Sequence, residues 1–189
     1  MGRRAVRRRP GRPRVLLSLF VALFPPADVR RDLAAFVPDH AARAPKWHIT
    51  LAFLGPEHPE VSEPPGLVAS EPPELVASLV SARLASASYG GPFTLRLAGS
   101  GRFGPVVWAG VDGDLAALSE LRERVLKSLS GFPSDPRPFH PHVTISYRFS
   151  QDAVDALSGY IGPEWQVDGF SLTQSTNGNY VRLTEHPLP

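Results

Sequence analysis

Two short motifs in the sequence each place a histidine two residues before a threonine. They are His48-Ile49-Thr50 and His142-Val143-Thr144. In a β-strand, residues i and i+2 project from the same face, so each motif would present an imidazole and a hydroxyl side by side. An imidazole can give or take a proton near neutral pH, and a threonine hydroxyl can donate a hydrogen bond to a phosphate oxygen. Such pairs are suited to binding and cleaving a phosphodiester.

Two facing pairs would supply what the hydrolysis of a 2′,3′-cyclic phosphate requires. One neutral histidine would take a proton from water and one protonated histidine would give a proton to the departing ribose oxygen, without a metal. Each such step contributes about 10²–10⁴-fold to the rate. The threonines would hold the phosphorus between the imidazoles. A single His-x-Thr on a strand is usually structural, so the hypothesis depends on two motifs sharing one site.

Both motifs lie in segments with the alternation of apolar and polar residues that is typical of strands. Residues 47–54 and 142–149 are therefore predicted to be strands. In the first, Gly55-Pro56 ends the pattern. The apolar face of that strand would carry Trp47, Ile49, Leu51 and Phe53, opposite His48 and Thr50.

The remaining pattern mixes strands and helices without regular alternation. It predicts strands at 16–23, 93–97, 106–111, 167–173 and 180–184, and helices at 27–36, 73–87, 115–129 and 154–160. Residues 38–45 are predicted to be a loop, and the glycines at 99–104 a turn between two strands. Asn177-Gly178 predicts a hairpin. This order favours an α+β fold with an antiparallel sheet.

The charge of the chain is unevenly distributed. Residues 1–14 hold seven of the 20 Lys and Arg residues and no acid, which leaves 13 basic residues against all 18 Asp and Glu in the rest. We therefore expect a disordered arginine-rich arm at 1–14 and one domain at 15–189 with a proline-rich loop insertion at about 56–74. An acidic domain must hold nucleic acid through a few placed groups.

The basic arm runs into the apolar stretch VLLSLFVALF, which looks like a signal peptide. Phe24-Pro25-Pro26 follows it without a small-x-small cleavage site, and the stretch also fits a buried first strand. We interpret it as a strand and expect a cytoplasmic monomer. The absence of cysteine excludes a disulfide framework, a thiolate zinc site and a cysteine nucleophile.

Five stretches, in order, resemble the RNA 2′,3′-cyclic phosphodiesterases of the two-histidine (2H) phosphoesterase superfamily, also known as the 2′-5′ RNA ligase family. They are FVALFPPADVRRDLAAF, WHITLAFLG, VVWAGV, RPFHPHVTISYR and FSLTQSTNGNYVRL. The resemblance implies a bilobal fold, with two pseudo-symmetric lobes and antiparallel sheets around a central cleft. It also implies metal-independent hydrolysis of an RNA terminal 2′,3′-cyclic phosphate to a 2′-phosphate, with no cofactor. On that basis His48 would be the acid and His142 the base, and the reverse assignment stays open because the sequence does not orient the substrate.

The sequence departs from the family at one position. Members often read H-x-T-x-x-R, but Tyr147 stands at the arginine position and Arg148 follows it. Uninterrupted alternation predicts that Tyr147 points away from the His142 face and Arg148 toward it. Either Tyr147 stacks on a nucleobase from the strand end, or Arg148 contacts a phosphate. Phe103 is a further candidate for stacking on a base.

Other functions stay open from the residues alone. The same fold could act on a small cyclic nucleotide or an ADP-ribose cyclic phosphate, which an acidic domain favours over long RNA. A non-catalytic RNA-binding protein could use the arginine arm. His140-Pro141-His142 suggests a metal site, but no Asp or Glu lies near it on the strand, and zinc needs three or four ligands. His40, His58 and His186 are predicted to be solvated, and the three tryptophans to occupy core positions.

Overall fold

The computed structural model describes residues 17–54, 73–132 and 137–189. These residues form an eight-stranded antiparallel sheet and four α-helices, which confirms the predicted α+β class. The apolar side chains of all four helices and of the sheet form one buried cluster. The arginine arm, nearly all of the predicted loop at 56–74 and His58 lie outside the described residues, as do residues 133–136.

Helices and strands follow one another along the chain without a regular repeat. In order they are β1 (Leu17–Leu23), α1 (Ala27–Phe36), a 3-10 helix (Pro38–Lys46), β2 (Ile49–Phe53), α2 (Pro73–Ala85), β3 (Phe93–Phe103), β4 (Val106–Gly113), α3 (Leu115–Ser128), β5 (His142–Ser146), α4 (Gln151–Ser158), β6 (Trp165–Val167), β7 (Gly169–Thr176) and β8 (Asn179–Pro187).

Most predicted elements are confirmed, and the differences have local causes. The predicted loop at 38–45 is a 3-10 helix that delivers the chain to β2. β3 continues through the predicted glycine turn to Phe103, because a register shift between Leu97 and Ser100 is accommodated by Gly99 at φ +68°. The predicted hairpin at Asn177-Gly178 is confirmed, with positive φ at both residues.

The strand order is β6-β3-β4-β5-β2-β1-β7-β8, and it is symmetric about its centre. β2 and β5 lie in the middle. Outward from them, β1 corresponds to β4, β7 to β3 and β8 to β6. α1 joins β1 to β2, just as α3 joins β4 to β5. The two predicted lobes are therefore present as the two halves of one continuous sheet, where two separate sheets were expected.

The two halves meet where Ile49 pairs with Val143, the middle residues of the two motifs. Both side chains are fully buried. Opposed residues of an antiparallel pair share a face, and their neighbours project from the other face. Burial of Ile49 and Val143 therefore directs both histidines and both threonines to the opposite side of the sheet.

Each motif is followed by a register shift at the same position. Along β2, Thr50 pairs with Ala22 but Ala52 pairs with Val21, which leaves Leu51 without an opposed residue. Along β5, Thr144 pairs with Trp108 but Ser146 pairs with Val107, which leaves Ile145 unopposed in the same way. An extra residue of this kind, a β-bulge, reverses the alternation of faces beyond it.

Predictions about four individual side chains can be compared with the structure. Trp47 and Trp165 are buried as predicted, but Trp108 is only half-buried and lies beside His140. His186 is also buried, contrary to prediction, because its ring stacks on Phe170 at 5.0 Å. Among the described residues, no helix is long and apolar enough to cross a membrane.

Candidate active site

A cavity of about 180 Å³ brings together all four residues of the two motifs. This volume is large enough for a phosphate group. Ten residues line it: His48, Thr50, His142 and Thr144, with Ser18, Phe20, Phe53, Tyr147, Ser175 and Tyr180. A larger cavity of about 410 Å³ lies at the end of α3, but none of the motif residues lines it.

Both histidines are oriented by the same backbone contact. Nδ1 of His48 lies 2.7 Å from the carbonyl oxygen of Lys46, and Nδ1 of His142 lies 2.7 Å from that of His140. A carbonyl oxygen can only accept, so each Nδ1 carries a proton and donates it. Nε2 is therefore the nitrogen left for proton transfer on each neutral ring.

Aromatic side chains surround each imidazole, and they differ between the two halves. The ring centroid of His48 lies 4.8 Å from Phe20, 5.5 Å from Phe24 and 5.5 Å from Tyr180. His142 lies beside Phe103 at 5.1 Å and Trp108 at 6.0 Å. These walls limit rotation of the imidazoles and remove water from them, His48 more completely.

The electrostatics of both imidazoles favour the neutral form. Burial lowers the pKa of His48 to about 4; its hydrogen bond to Lys46 opposes this, and the charges of His142 and Arg43 add to it. Burial also lowers the pKa of His142, against the opposing effect of its hydrogen bond to His140. An anion bound between the rings would favour protonation of one of them.

The hydroxyl groups of the cavity are available to a ligand. Neither Thr50 nor Thr144 uses its side-chain hydroxyl to hydrogen-bond another of the described residues. Ser18 and Ser175 face each other in the register of β1 and β7, and both line the cavity. Hydroxyls in such an arrangement can donate to the oxygens of a phosphate. Within the described ranges, no three His, Asp or Glu side chains are grouped as metal ligands.

The bulges correct two predictions that rested on uninterrupted alternation. Phe53 is predicted on the core face and Tyr147 on the face away from His142, and both predictions are wrong. Leu51 and Ile145 are the extra residues, so the fifth position after each histidine turns back to the histidine side. Phe53 and Tyr147 therefore line the cavity from equivalent places in the two halves.

The other two predicted contact residues lie outside the cavity lining. Arg148 is exposed, and its backbone N–H donates to the hydroxyl of Ser146 at 3.1 Å in the turn after β5. The Ser146 hydroxyl donates in turn to the carbonyl of Arg148 at 2.7 Å. Phe103 is 45% exposed and contacts the ring of His142 from outside the cavity.

Besides Phe53, sequence reasoning missed four of the lining residues: Ser18, Phe20, Ser175 and Tyr180. Ser18 and Ser175 are far apart in sequence, and only the register of β1 against β7 brings them together. The one available signal was a polar Ser18 inside an otherwise apolar strand. Tyr180 reaches the cavity because the Asn177-Gly178 hairpin folds β8 onto β7.

Comparison with known proteins finds one family and several named relatives. The model of the 2′-5′ RNA ligase superfamily matches residues 21–179. An RNA 2′,3′-cyclic phosphodiesterase of Geobacillus stearothermophilus is 36% identical over 149 residues, which cover 71% of this chain and 43% of the relative. One from Aeropyrum pernix is 37% identical over 118 residues, covering 58% and 57%. The match thus spans about half the length of these two relatives.

A relative of the same name from Escherichia coli matches over more of its length. It is 32% identical over 169 residues, covering 84% of this chain and 86% of the relative. Among solved structures, E. coli LigT in complex with 3′-AMP superposes with a TM-score of 0.61 and 25% identity over 92% of this chain and 98% of that one. A structure described as a phosphoesterase superposes with a TM-score of 0.61 and 28% identity, over 92% of this chain and 98% of that one.

Replacement of Gly101 by alanine tests the aromatic wall beside His142. Gly101 is opposed to Trp108, and a Cβ at this position would lie 2.2 Å from the indole ring. The indole must therefore move, and it contacts both Phe103 and His142. We expect Gly101→Ala to shift the imidazole resonances of His142 and to weaken the binding of inorganic phosphate by about tenfold, both measured by NMR titration.

Gly159→Ala is the matched control, because a Cβ at Gly159 would have no atom within 4 Å. Unchanged His142 resonances and phosphate affinity in Gly101→Ala would contradict a role of this wall in orienting the imidazole.

Proposed function

The chain belongs to the 2′-5′ RNA ligase superfamily, and on that premise we propose that its cavity hydrolyses the 2′,3′-cyclic phosphate at an RNA end to a 2′-phosphate without a metal. The observation that carries the proposal is the meeting of the two His-x-Thr motifs in one cavity, across the pairing of Ile49 with Val143. The names of the curated relatives, RNA 2′,3′-cyclic phosphodiesterase, support the substrate class.

The four motif side chains have complementary roles in the proposed reaction. The hydroxyls of Thr50 and Thr144 donate to the non-bridging oxygens of the cyclic phosphate and place the phosphorus between the imidazoles. Neutral Nε2 of one histidine takes a proton from water as the water oxygen bonds to phosphorus. Protonated Nε2 of the other gives a proton to the ribose 3′-oxygen as the P–O3′ bond breaks. The products are a 2′-phosphate and a 3′-hydroxyl.

The resemblance to the family assigns the acid role to His48 and the base role to His142. Burial lowers the pKa of His48 to about 4 in the free protein, and a bound phosphate anion would favour its protonation. Once protonated, an imidazolium with a low intrinsic pKa gives its proton up readily to the ribose oxygen. The proposal includes RNA as the substrate, while the cytoplasmic location and the monomeric state stay predictions from the sequence.

Removal of either catalytic imidazole is the direct test. We expect His48→Ala and His142→Ala each to lower kcat/KM by about 10²–10⁴-fold, because each removes one proton-transfer step. The measurement is the chromatographic conversion of an oligonucleotide 2′,3′-cyclic phosphate to its 2′-phosphate, with a chelator present. His40→Ala is the control, since His40 lies on the 3-10 helix and does not line the cavity. Full activity in both catalytic variants would sink the proposal.

A substrate with sulfur in place of the 3′-oxygen separates the acid from the base. A thiolate leaves without a proton, so the acid is no longer needed. We expect the loss caused by His48→Ala to shrink to under about tenfold on this substrate, while His142→Ala keeps its full loss of about 10²–10⁴-fold. The reverse pattern would exchange the two roles and leave the rest of the proposal standing.

The pH dependence of kcat/KM follows from the two lowered pKa values. The free protein is active when one histidine is protonated and the other neutral, a state that is most populated between the two pKa values. Burial lowers the pKa values of both histidines below the ordinary value of 6.5. We therefore expect a bell-shaped profile centred below pH 6.5, whichever histidine is the acid. A profile measured at substrate concentrations below KM and centred above pH 7 would contradict this.

A further inference from the structure

The cavity lacks a permanent positive charge although its proposed substrate is an anion. None of its ten lining residues is Lys or Arg. Its two histidines are neutral at neutral pH, because burial lowers the pKa of each. Hydroxyl groups position a phosphate, but its affinity in most sites comes from Lys or Arg. A nearby guanidinium would therefore matter for substrate binding.

Arg43, on the 3-10 helix, brings such a group to the edge of the cavity. Its guanidinium carbon lies 4.7 Å from the centroid of the Tyr147 ring. Its charge also lowers the pKa of His48, beside the larger effect of burial, and opposes the rise that burial causes in the pKa of Tyr180. Three residues of the lining thus lie within the electrostatic or van der Waals reach of Arg43.

The guanidinium of Arg43 is free to bind a ligand. Its Nε is buried and has no hydrogen-bond partner. Within the ranges that the structure describes, no carboxylate pairs with Arg43 and no carbonyl accepts from it. The stack on Tyr147 holds the plane of the group while leaving its terminal N–H donors unused. A planar fork of donors matches two oxygens of one phosphate.

The position of Arg43 relates it to a part of the substrate outside the cavity. Arg43 does not itself line the cavity that holds the two motifs. Tyr147, whose ring lies beneath the guanidinium of Arg43, is 57% exposed and forms the border between cavity and solvent. The rest of an RNA chain would leave the cavity over such a border.

We infer that Arg43, stacked on Tyr147, binds the phosphodiester on the 5′ side of the terminal nucleotide, so that the protein prefers RNA oligonucleotides to mononucleoside cyclic phosphates. This inference rests on the proposed function and deepens it by naming the substrate class. The guanidinium comes from the 3-10 helix and lies over the Tyr147 ring at the border of the cavity.

Three substrates test the inference, and the two dinucleotides among them differ only in one charge. They are uridine 2′,3′-cyclic phosphate, the dinucleotide UpU with a terminal 2′,3′-cyclic phosphate, and the same dinucleotide with an uncharged methylphosphonate linkage. We expect the charged dinucleotide to have the highest kcat/KM, by roughly 10-fold or more, as for a hydrogen bond to a charged group. The methylphosphonate dinucleotide should behave like the mononucleotide.

Arg43→Met should remove this preference. It should raise KM for the charged dinucleotide by roughly 10-fold or more, with little change in kcat, and leave the mononucleotide within about twofold. Arg83→Met is the matched control, because Arg83 also lies over an aromatic ring, Phe132 at 5.3 Å, but away from the cavity. Arg43→Met should also move the acidic side of the kcat/KM profile to higher pH, since it removes a charge that lowers the pKa of His48.

Three results would overturn the inference: no preference for the charged dinucleotide in the unmodified protein, no effect of Arg43→Met, or equal losses on all three substrates. The last would place Arg43 at the cyclic phosphate or in the packing of the fold. If the proposed function itself is wrong, the unmodified protein will hydrolyse none of the three substrates, which distinguishes this failure from failure of the inference. Tyr147→Phe keeps the aromatic ring and should keep the preference for the charged dinucleotide.

Discussion

The structure depends on the pairing of Ile49 with Val143 at the centre of the sheet. This contact joins the two halves, and the burial of each side chain contributes about 1.5–3 kcal/mol. It also fixes which way the neighbouring residues point. A slip of one residue in this register would move both imidazoles into the apolar core and both apolar side chains into the cavity. The same pairing therefore stabilises the sheet and places the motif side chains in the cavity.

The bulges at Leu51 and Ile145 add a second constraint, which acts on the cavity walls. Without them, the fifth residue after each histidine would be directed into the core. With them, the cavity gains Phe53 from one half and Tyr147 from the other. Tyr147 then provides the surface on which Arg43 stacks. Two extra residues in the strands thus determine what surrounds the motifs.

Local patterns in the sequence predicted the motif pairs and most of the helices and strands, because both follow from periodicity along one segment. The errors lie where structure depends on partners far away in the sequence. Alternation placed Tyr147 on the wrong face, since a bulge is defined only against the neighbouring strand. The pairing of Ser18 with Ser175 is a register between β1 and β7 that no local pattern encodes. The sequence pattern predicts a loop around Arg43, and only the 3-10 helix brings this residue to Tyr147.

The near-symmetry of the backbone raises the question of how one histidine could act as the acid and the other as the base in the proposed reaction. Both Nδ1 atoms donate to the carbonyl two residues earlier, at the same distance of 2.7 Å, so the backbone treats them alike. The side chains around the two imidazoles, by contrast, differ. His48 is enclosed by three aromatic rings and lies within reach of the charge of Arg43, whereas His142 is less enclosed. Two groups whose surroundings separate their pKa values can divide acid and base roles. The symmetric sheet therefore places the two imidazoles alike, and their unequal walls make the two imidazoles electrostatically different.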